Sequence, residues 1–538
     1  MSKELFDLWK RSYQAILTEE IFSRFSLRLM MGFILLGCMA IRLWTIGAPA
    51  LDRTLWKEID YIQVSTNYWQ HGFHFLHPEI TWPAEPPRVT AMEFPLVPYL
   101  ASLLYPLFGF HVLTVRLLPL LSFLLLVLYV YLLAKRTFSA TVGLVSALAA
   151  AILPLYHPFH RILFSEPLMI ALSVMTLYHF VGWLEERRKK DWLIAILCYS
   201  LAIAIKLEPL YLFLCLFMLY VQKYRFSLTA YKDWVLFVLL CLILPAAWYG
   251  YAYGLAKHSI DVFGVFGGQF GGHNKFQTLT MLTNPDWTVT MIKRIGSSIL
   301  GGKWGSLIAL IGFISAGCVH KGKLFFFYLF TILLYFAIVA EGQLDAPYRQ
   351  LTIVPPLSVF VALGALAVAV AVSQLLKTIF PALARKGWFG ARGTIAASLV
   401  AVLLILVFNM RLVFNRSSTV AADPFRWQLA QEIKKYADPQ AKLITAGEYT
   451  LHTGGIDLSP VLYYYSGLQG WSLHKGDWSL AKVDELKQRG AMVFAAVDMS
   501  REPESVPFIQ AMKATYRVLY EDAEDELLLL DLRSRDRE

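Results

Sequence analysis

Charge is scarce in this chain. Only 16% of the 538 residues are Asp, Glu, Lys or Arg and 57% are hydrophobic, whereas a soluble domain carries about 25% charged residues. A composition this poor in charge excludes a molecule wetted on all sides, so most of the chain must face lipid or other helices. Cysteine is also sparse. Cys38, Cys198, Cys215, Cys241 and Cys318 all fall within or at the ends of apolar runs, which excludes a disulfide framework and any CxxC metal site. No Gly-rich phosphate loop accompanies the strand-like segments, so no nucleotide site is indicated. The N-terminal stretch is amphipathic with both signs of charge, unlike a cleaved signal peptide, and the first apolar run reads as a retained anchor.

The formal charge of +10 resembles a nucleic-acid signature until the cations are located. They cluster in short connections between apolar runs, at Lys135-Arg136, Glu185 to Lys190, Lys223 to Lys232, His320 to Lys323 and Arg385 to Arg392. That is the distribution of cytoplasmic loops under the positive-inside rule, and nucleic acid is excluded as a partner. Apolar runs at 28–46, 114–134, 139–156, 164–184, 192–206, 208–222, 234–252, 298–317, 324–340, 352–376 and 394–413 give about eleven spans. With the N-terminus cytoplasmic, every basic cluster lies inside. Segment 47–113, the turns at 157–161, 206–209 and 341–350, loop 253–297 and the tail from about 420 then lie outside. The fold class expected is a polytopic α-helical membrane protein carrying a small α/β domain.

Within those outer segments, the prolinated stretch after Glu93 reads as a helix lying on the membrane. The glycines Gly264, Gly267, Gly268, Gly271 and Gly272 suit a lid over a cleft. The tail alternates helix-like and strand-like patterns: a helix at Asp423 to Tyr436, a strand at Lys442 to Ala446, a helix at Leu480 to Arg489, and strands at Ala491 to Val497 and Glu526 to Leu532. The organisation expected is a cytoplasmic N-terminus at 1–27, a membrane module at 28–415 and an extracytoplasmic α/β domain at 420–538.

The outer face collects Glu58, Asp60, Glu93, Arg116, Arg161, Glu166, Lys206, Glu208, Tyr348 and Arg349. Ionisable residues at membrane depth are costly unless they line a cavity or pair, so several from separate spans on one face point to a polar cavity. Carboxylates beside arginine and lysine suit group transfer from a phosphorylated lipid. A carboxylate accepts the proton of an attacking hydroxyl or amine, and fixed cations stabilise the departing phosphate.

The run Trp56-Lys57-Glu58-Ile59-Asp60, then Asn67-Tyr68-Trp69, Gly72-Phe73, Pro78, Met92-Glu93-Phe94-Pro95-Leu96, Arg116 and Tyr348 to Pro356 resembles the bacterial branch of the protein O-mannosyltransferase superfamily. These are polyprenyl-phosphate-sugar-dependent glycosyltransferases of the GT-C fold, related to the aminoarabinose transferases of lipid A. The resemblance spans about residues 25 to 415. It implies an inverting transfer from a polyprenyl-phosphate-linked monosaccharide to an extracytoplasmic acceptor, with catalytic Asp60 in the place of the family's base and Glu58 beside it. Glu58 stands where relatives carry glutamine, and Lys57 replaces an arginine. Glu93 matches the Glu of a Glu-x-Pro motif that helps hold a metal in some lipid A relatives, so the cofactor implied is a divalent metal ion at Glu93. Phe94 replaces the phosphate-contacting lysine of those relatives. The lipid-phosphate and substrate set then becomes Glu93, Arg116, Arg161, Glu166, Lys206, Tyr348 and Arg349.

Plainer roles stand beside these. Arg116 at a helix end can snorkel, and Lys206 with Glu208 can cap a tight turn as a local pair. His71, His74 and His77 are evenly spaced, but a helix presenting all three ahead of Pro78 is not expected. Tyr463-Tyr464-Tyr465 suits a sugar platform or, more ordinarily, a domain core. The rival activity is a transporter or flippase of a lipid-linked substrate. It calls for charged or broken-helix sites at the bilayer midplane and an internal repeat, which the sequence does not display. A third reading makes the outer domain a binding scaffold.

Overall fold

The computed structural model describes the chain except at residues 1–2, 19–21, 44–45, 48–56, 82–87, 154–161, 226–227, 260–262, 264, 267–277, 318–321, 383–389, most of 391–423, 448–458, 500–502, 525 and 536–538. The glycines of the expected lid lie outside the described residues, as does Arg161.

Two compact units are formed. The first comprises Met1–Gly47, Pro119–Ala246 and Asn274–Ser418, and the second Ala48–Leu118, Ala247–His273 and Thr419–Glu538. This differs from three consecutive segments: the tail shares its unit with the first outer segment. The cause is packing between distant parts of the chain. The helix Val461–Ser466 packs on the helix Lys57–Gln70, and the Trp248 indole donates to the Met92 carbonyl at 3.1 Å.

The first unit is helical. Among the described residues, five helices are long and apolar enough to cross a membrane: Arg24–Leu43, Val112–Thr137, Glu166–Glu186, Tyr231–Ala256 and Pro347–Ile379. A sixth span is available if the pair Pro285–Ile299 and Lys303–Gly317, bent by 98°, counts as one. Helices also occupy the shorter apolar runs, at Ala140–Ile152, Lys189–Ile205, Tyr211–Tyr224 and Lys323–Ile338. Ten of the eleven expected runs therefore contain helix, several shorter than a full crossing; the eleventh, 394–413, lies mostly outside the described residues.

Close helix contact here depends on glycine. A Cβ on Gly312 would sit 1.8 Å from the Phe360 carbonyl oxygen, and one on Gly364 would sit 1.9 Å from that of Ile308. The two glycines thus let the helices Lys303–Gly317 and Val354–Ile379 meet backbone to backbone, a small-residue contact typical of helices in lipid. The amphipathic N-terminal helix Lys3–Thr18 seals the same long helix. Trp9 donates to Ala367 O and Tyr13 to Leu363 O, both at 3.1 Å.

In the second unit the tail forms a five-stranded sheet, β1 (Lys442–Gly447), β2 (Gln469–Ser472), β3 (Ala491–Val497), β4 (Tyr516–Asp522) and β5 (Leu527–Arg535), in the order β2-β1-β3-β5-β4. Strands β2, β1 and β3 are parallel, while β5 is antiparallel to both β3 and β4. Strand β3 is apolar at every position, and β1 and β5 carry apolar runs at Leu443-Ile444 and Leu527 to Leu530, because both faces are covered. One face buries Ile444, Phe494, Ala496, Leu528 and Leu530 with Leu486, Phe508 and Met512 from the helices Leu480–Gln488 and Ser505–Thr515. The other buries Leu443, Val493, Ala495, Leu527 and Leu529 with Leu429, Ile433 and Tyr463 from the helices Pro424–Tyr436 and Val461–Ser466. Alternate residues of one strand serve opposite cores, as the period of two requires.

Candidate active site

The helix Lys57–Gln70 places two carboxylates in its first turn, Glu58 and Asp60, where the helix dipole favours negative charge. Two residues apart on a helix means about 200° around the axis, so neighbours in sequence point in different directions. Glu58 meets Arg116, which lies near the start of the helix Val112–Thr137. Its Oε1 accepts from Nε at 2.8 Å and its Oε2 from Nη2 at 2.9 Å. The pair is almost wholly buried, at 3% and 1% exposure, and the two-point geometry is the strong form of such a contact. Arg116, which the sequence allowed to snorkel, is turned inward.

Lys57 lies 3.5 Å from Glu93, balancing a second carboxylate. Asp60 remains. It is buried, and its Oδ1 meets no hydrogen-bond donor among the described residues. Burial pushes its pKa out of the ordinary carboxylate range up to about 8, with the Lys57 ammonium pulling the other way. A carboxyl so placed holds its proton near neutrality because a buried unpaired charge is expensive.

Tyr464 also reaches this cluster. Tyr463 beside it is core, its hydroxyl 2.7 Å from Thr445 Oγ1. The half-buried Tyr464 instead has its hydroxyl pKa raised, first by burial and then by Tyr465, Tyr105 and Glu58, with Arg116 opposing. No local signal in the sequence brings residue 464 near residue 58, since the two are neighbours only through the packing of the helix Val461–Ser466 on the helix Lys57–Gln70.

The other expected site residues gather in the first unit. Glu166 opens the helix Glu166–Glu186, Lys206 ends Lys189–Ile205, and Tyr348 and Arg349 precede Val354–Ile379. Lys206 pairs with Glu166 and, at 3.0 Å, with Glu208. Arg349 Nε is 3.8 Å from Glu208, and the Lys206 ammonium lies 4.9 Å above the Tyr348 ring. Two cations and two carboxylates thus neutralise one another, which keeps buried charge tolerable at membrane depth. Lys206 and Glu208 are more than a local turn cap, because Glu166 comes from a different helix. Arg349, at the longest distance, is the more weakly held of the two cations.

The histidines do not converge. His71 Nδ1 is 2.8 Å from Glu79, and the rings of His74 and His77 are 6.4 Å apart. No group of three His, Cys, Asp or Glu side chains among the described residues is arranged to hold a metal, and Glu93 has an ammonium beside it. These residues do not fit the divalent ion implied for Glu93.

Comparison with known proteins agrees with the architecture. Residues 87–250 match the family model for dolichyl-phosphate-mannose-protein mannosyltransferase. No curated protein matches. Among solved structures, ArnT from Cupriavidus metallidurans bound to undecaprenyl phosphate superposes with a TM-score of 0.64 at 14% identity, covering 95% of this chain and 98% of that one. An oligosaccharyltransferase from Archaeoglobus fulgidus, in complex with zinc and sulfate, superposes at 0.54 with 11% identity, covering 93% of this chain and 72% of the other. The same organism's AglB, in complex with an inhibitory peptide and a dolichol-phosphate, gives 0.51 at 12% identity, over 94% and 74%. The chain is thus a membrane protein of the GT-C fold whose residues 87–250 match the dolichyl-phosphate-mannose-protein mannosyltransferase family.

Proposed function

We propose that this protein is an inverting glycosyltransferase of the cytoplasmic membrane that moves a monosaccharide from a polyprenyl-phosphate donor to an acceptor on the outer face. The observation that carries the reading is Asp60: a buried carboxyl left over after Glu58 and Glu93 have each met a cation, poised near pH 8. In the reaction an acceptor hydroxyl or amine attacks the anomeric carbon and gives its proton to the Asp60 carboxylate. The bond from that carbon to the phosphate oxygen breaks, and polyprenyl phosphate leaves with the electron pair. Glu58 and Arg116 act by holding the loop helix that presents Asp60. Lys206 and Arg349, with Glu166 and Tyr348 around them, are assigned to the lipid phosphate, whose arrival displaces Glu208 from Arg349. The ArnT and AglB structures, with undecaprenyl phosphate and dolichol-phosphate respectively, support a polyprenyl carrier here.

Asp60→Asn tests the assignment. The variant should fold and bind donor lipid yet lose transfer, measured by mass spectrometry of envelope glycans and lipids from a deletion strain complemented with either form. With the wild type, kcat/KM should rise about tenfold from pH 7 to a plateau above pH 9, because a group of pKa about 8 is carboxylate in about one molecule in ten at pH 7. Transfer undiminished by Asp60→Asn would remove Asp60 from the role.

A further inference from the structure

The helix Glu166–Glu186 carries charge at both ends. Glu166 belongs to the four-charge cluster, and Glu185 lies about 28 Å further along the axis at 1.5 Å per residue, close to the thickness of a bilayer's hydrocarbon core. At that second end the helix meets the end of Val112–Thr137, the end of Tyr211–Tyr224 and the start of Lys323–Ile338 around a cavity of about 350 Å³. Its walls include Val181, Leu219 and Leu324, and its cations are Arg136, Lys223 and Lys323.

Arg136 is built into place. Its guanidinium crosses the neighbouring helix where Gly182 leaves room, a Cβ there falling 2.8 Å from Nη1, and it reaches Glu185 and Glu186 at 2.8 Å each. Lys223 and Lys323 form no ion pair with any described residue. The positive-inside rule accounts for basic residues at this end of the helices. It does not call for a cavity with apolar walls beneath them.

We propose that this cavity binds an anionic phospholipid of the leaflet opposite the four-charge cluster around Lys206. The headgroup phosphate sits against Lys223 and Lys323 with Arg136 behind them, and the glycerol and first acyl carbons lie along Val181, Leu219 and Leu324. The apolar wall distinguishes this ligand from a free anion, which gains nothing from it. Two ammonium groups that pair with no described residue supply the attraction at headgroup level.

Native mass spectrometry of the full chain, released from nanodiscs of phosphatidylglycerol or of phosphatidylcholine, tests the site. Wild type should retain phosphatidylglycerol and not phosphatidylcholine. The double variant Lys223→Gln/Lys323→Gln should lose about thirtyfold in phosphatidylglycerol affinity, each surface cation contributing its usual share. Lys189→Gln/Lys190→Gln removes two charges close in sequence but outside the cavity lining, and should retain the lipid. Equal retention by wild type and the cavity variant would overturn the proposal. Equal loss from the Lys189/Lys190 control would do so too, by showing diffuse surface attraction. Displacement of the lipid by millimolar inorganic phosphate would identify the site as one for a soluble anion.

Discussion

Replacing Asp60 with Asn preserves the shape of the side chain and removes its proton equilibrium. In the folded wild type the carboxyl has a pKa of about 8, against about 3.9 in an unfolded chain. The folded state therefore holds the proton more tightly, and that contribution to stability is complete below pH 4. It declines as pH rises, because the unfolded chain has already released the proton while the folded one keeps it. The slope is about 1.4 kcal/mol per pH unit until the folded group itself ionises near pH 8, after which it flattens. Integrated from pH 6 to pH 9, wild type loses about 3 kcal/mol that the amide variant does not lose. Thermal unfolding of both proteins in detergent at pH 6, 7, 8 and 9 reads this out directly. The midpoint of Asp60→Asn should gain on wild type steadily up to pH 8 and then hold its lead. Parallel midpoints across the whole range would mean that Asp60 is already ionised at pH 6, and the account of a buried, unpaired carboxyl would fail.

Two further outcomes follow from the packing. Arg116→Met removes one partner of a pair buried on both sides and should destabilise the protein by about 3–5 kcal/mol by leaving the Glu58 charge uncompensated; adding Glu58→Gln should recover part of that loss in the same thermal assay. Gly312→Val places a branched side chain where even a Cβ falls 1.8 Å from the Phe360 carbonyl oxygen, so folded yield by size-exclusion chromatography should collapse, whereas the same change at Gly250, with open space around it, should be tolerated.

The parts of this molecule that could be read without coordinates are those fixed by local composition. Runs such as 114–134 and 352–376 announce long helices because lipid rejects charge and requires backbone groups to bond within their own segment. In the tail, Lys442 to Ala446 and Ala491 to Val497 are legible as strands because a strand covered on both faces is largely apolar, with little room for the alternation of an exposed strand. Strand β2 is not, since it has four residues and one of them is Gly470, where a Cβ would fall 1.7 Å from the Leu443 carbonyl oxygen of β1. Strand β4 escapes for the opposite reason. It lies at the sheet edge and carries Arg517, Glu521 and Asp522, charges that discourage pairing with other chains and also erase the apolar pattern.

At the candidate site the same division holds. That Glu58 and Asp60 follow the first apolar run, apart in the chain from the basic clusters, is a matter of sequence alone. Which of the two is neutralised depends on Arg116, 58 residues further along the chain, and ion pairing across such a distance leaves no periodic or compositional trace. The gathering of Glu166, Lys206, Glu208 and Arg349 into a balanced cluster, and the approach of Tyr464 to Glu58, depend likewise on how helices from separate parts of the chain pack. Hydrophobicity and charge bias act residue by residue, so the sequence by itself determined the membrane-embedded architecture and the α/β tail. Burial and charge pairing depend on which residues meet in space, and so only the tertiary structure decided that Asp60 is the carboxyl left holding a proton.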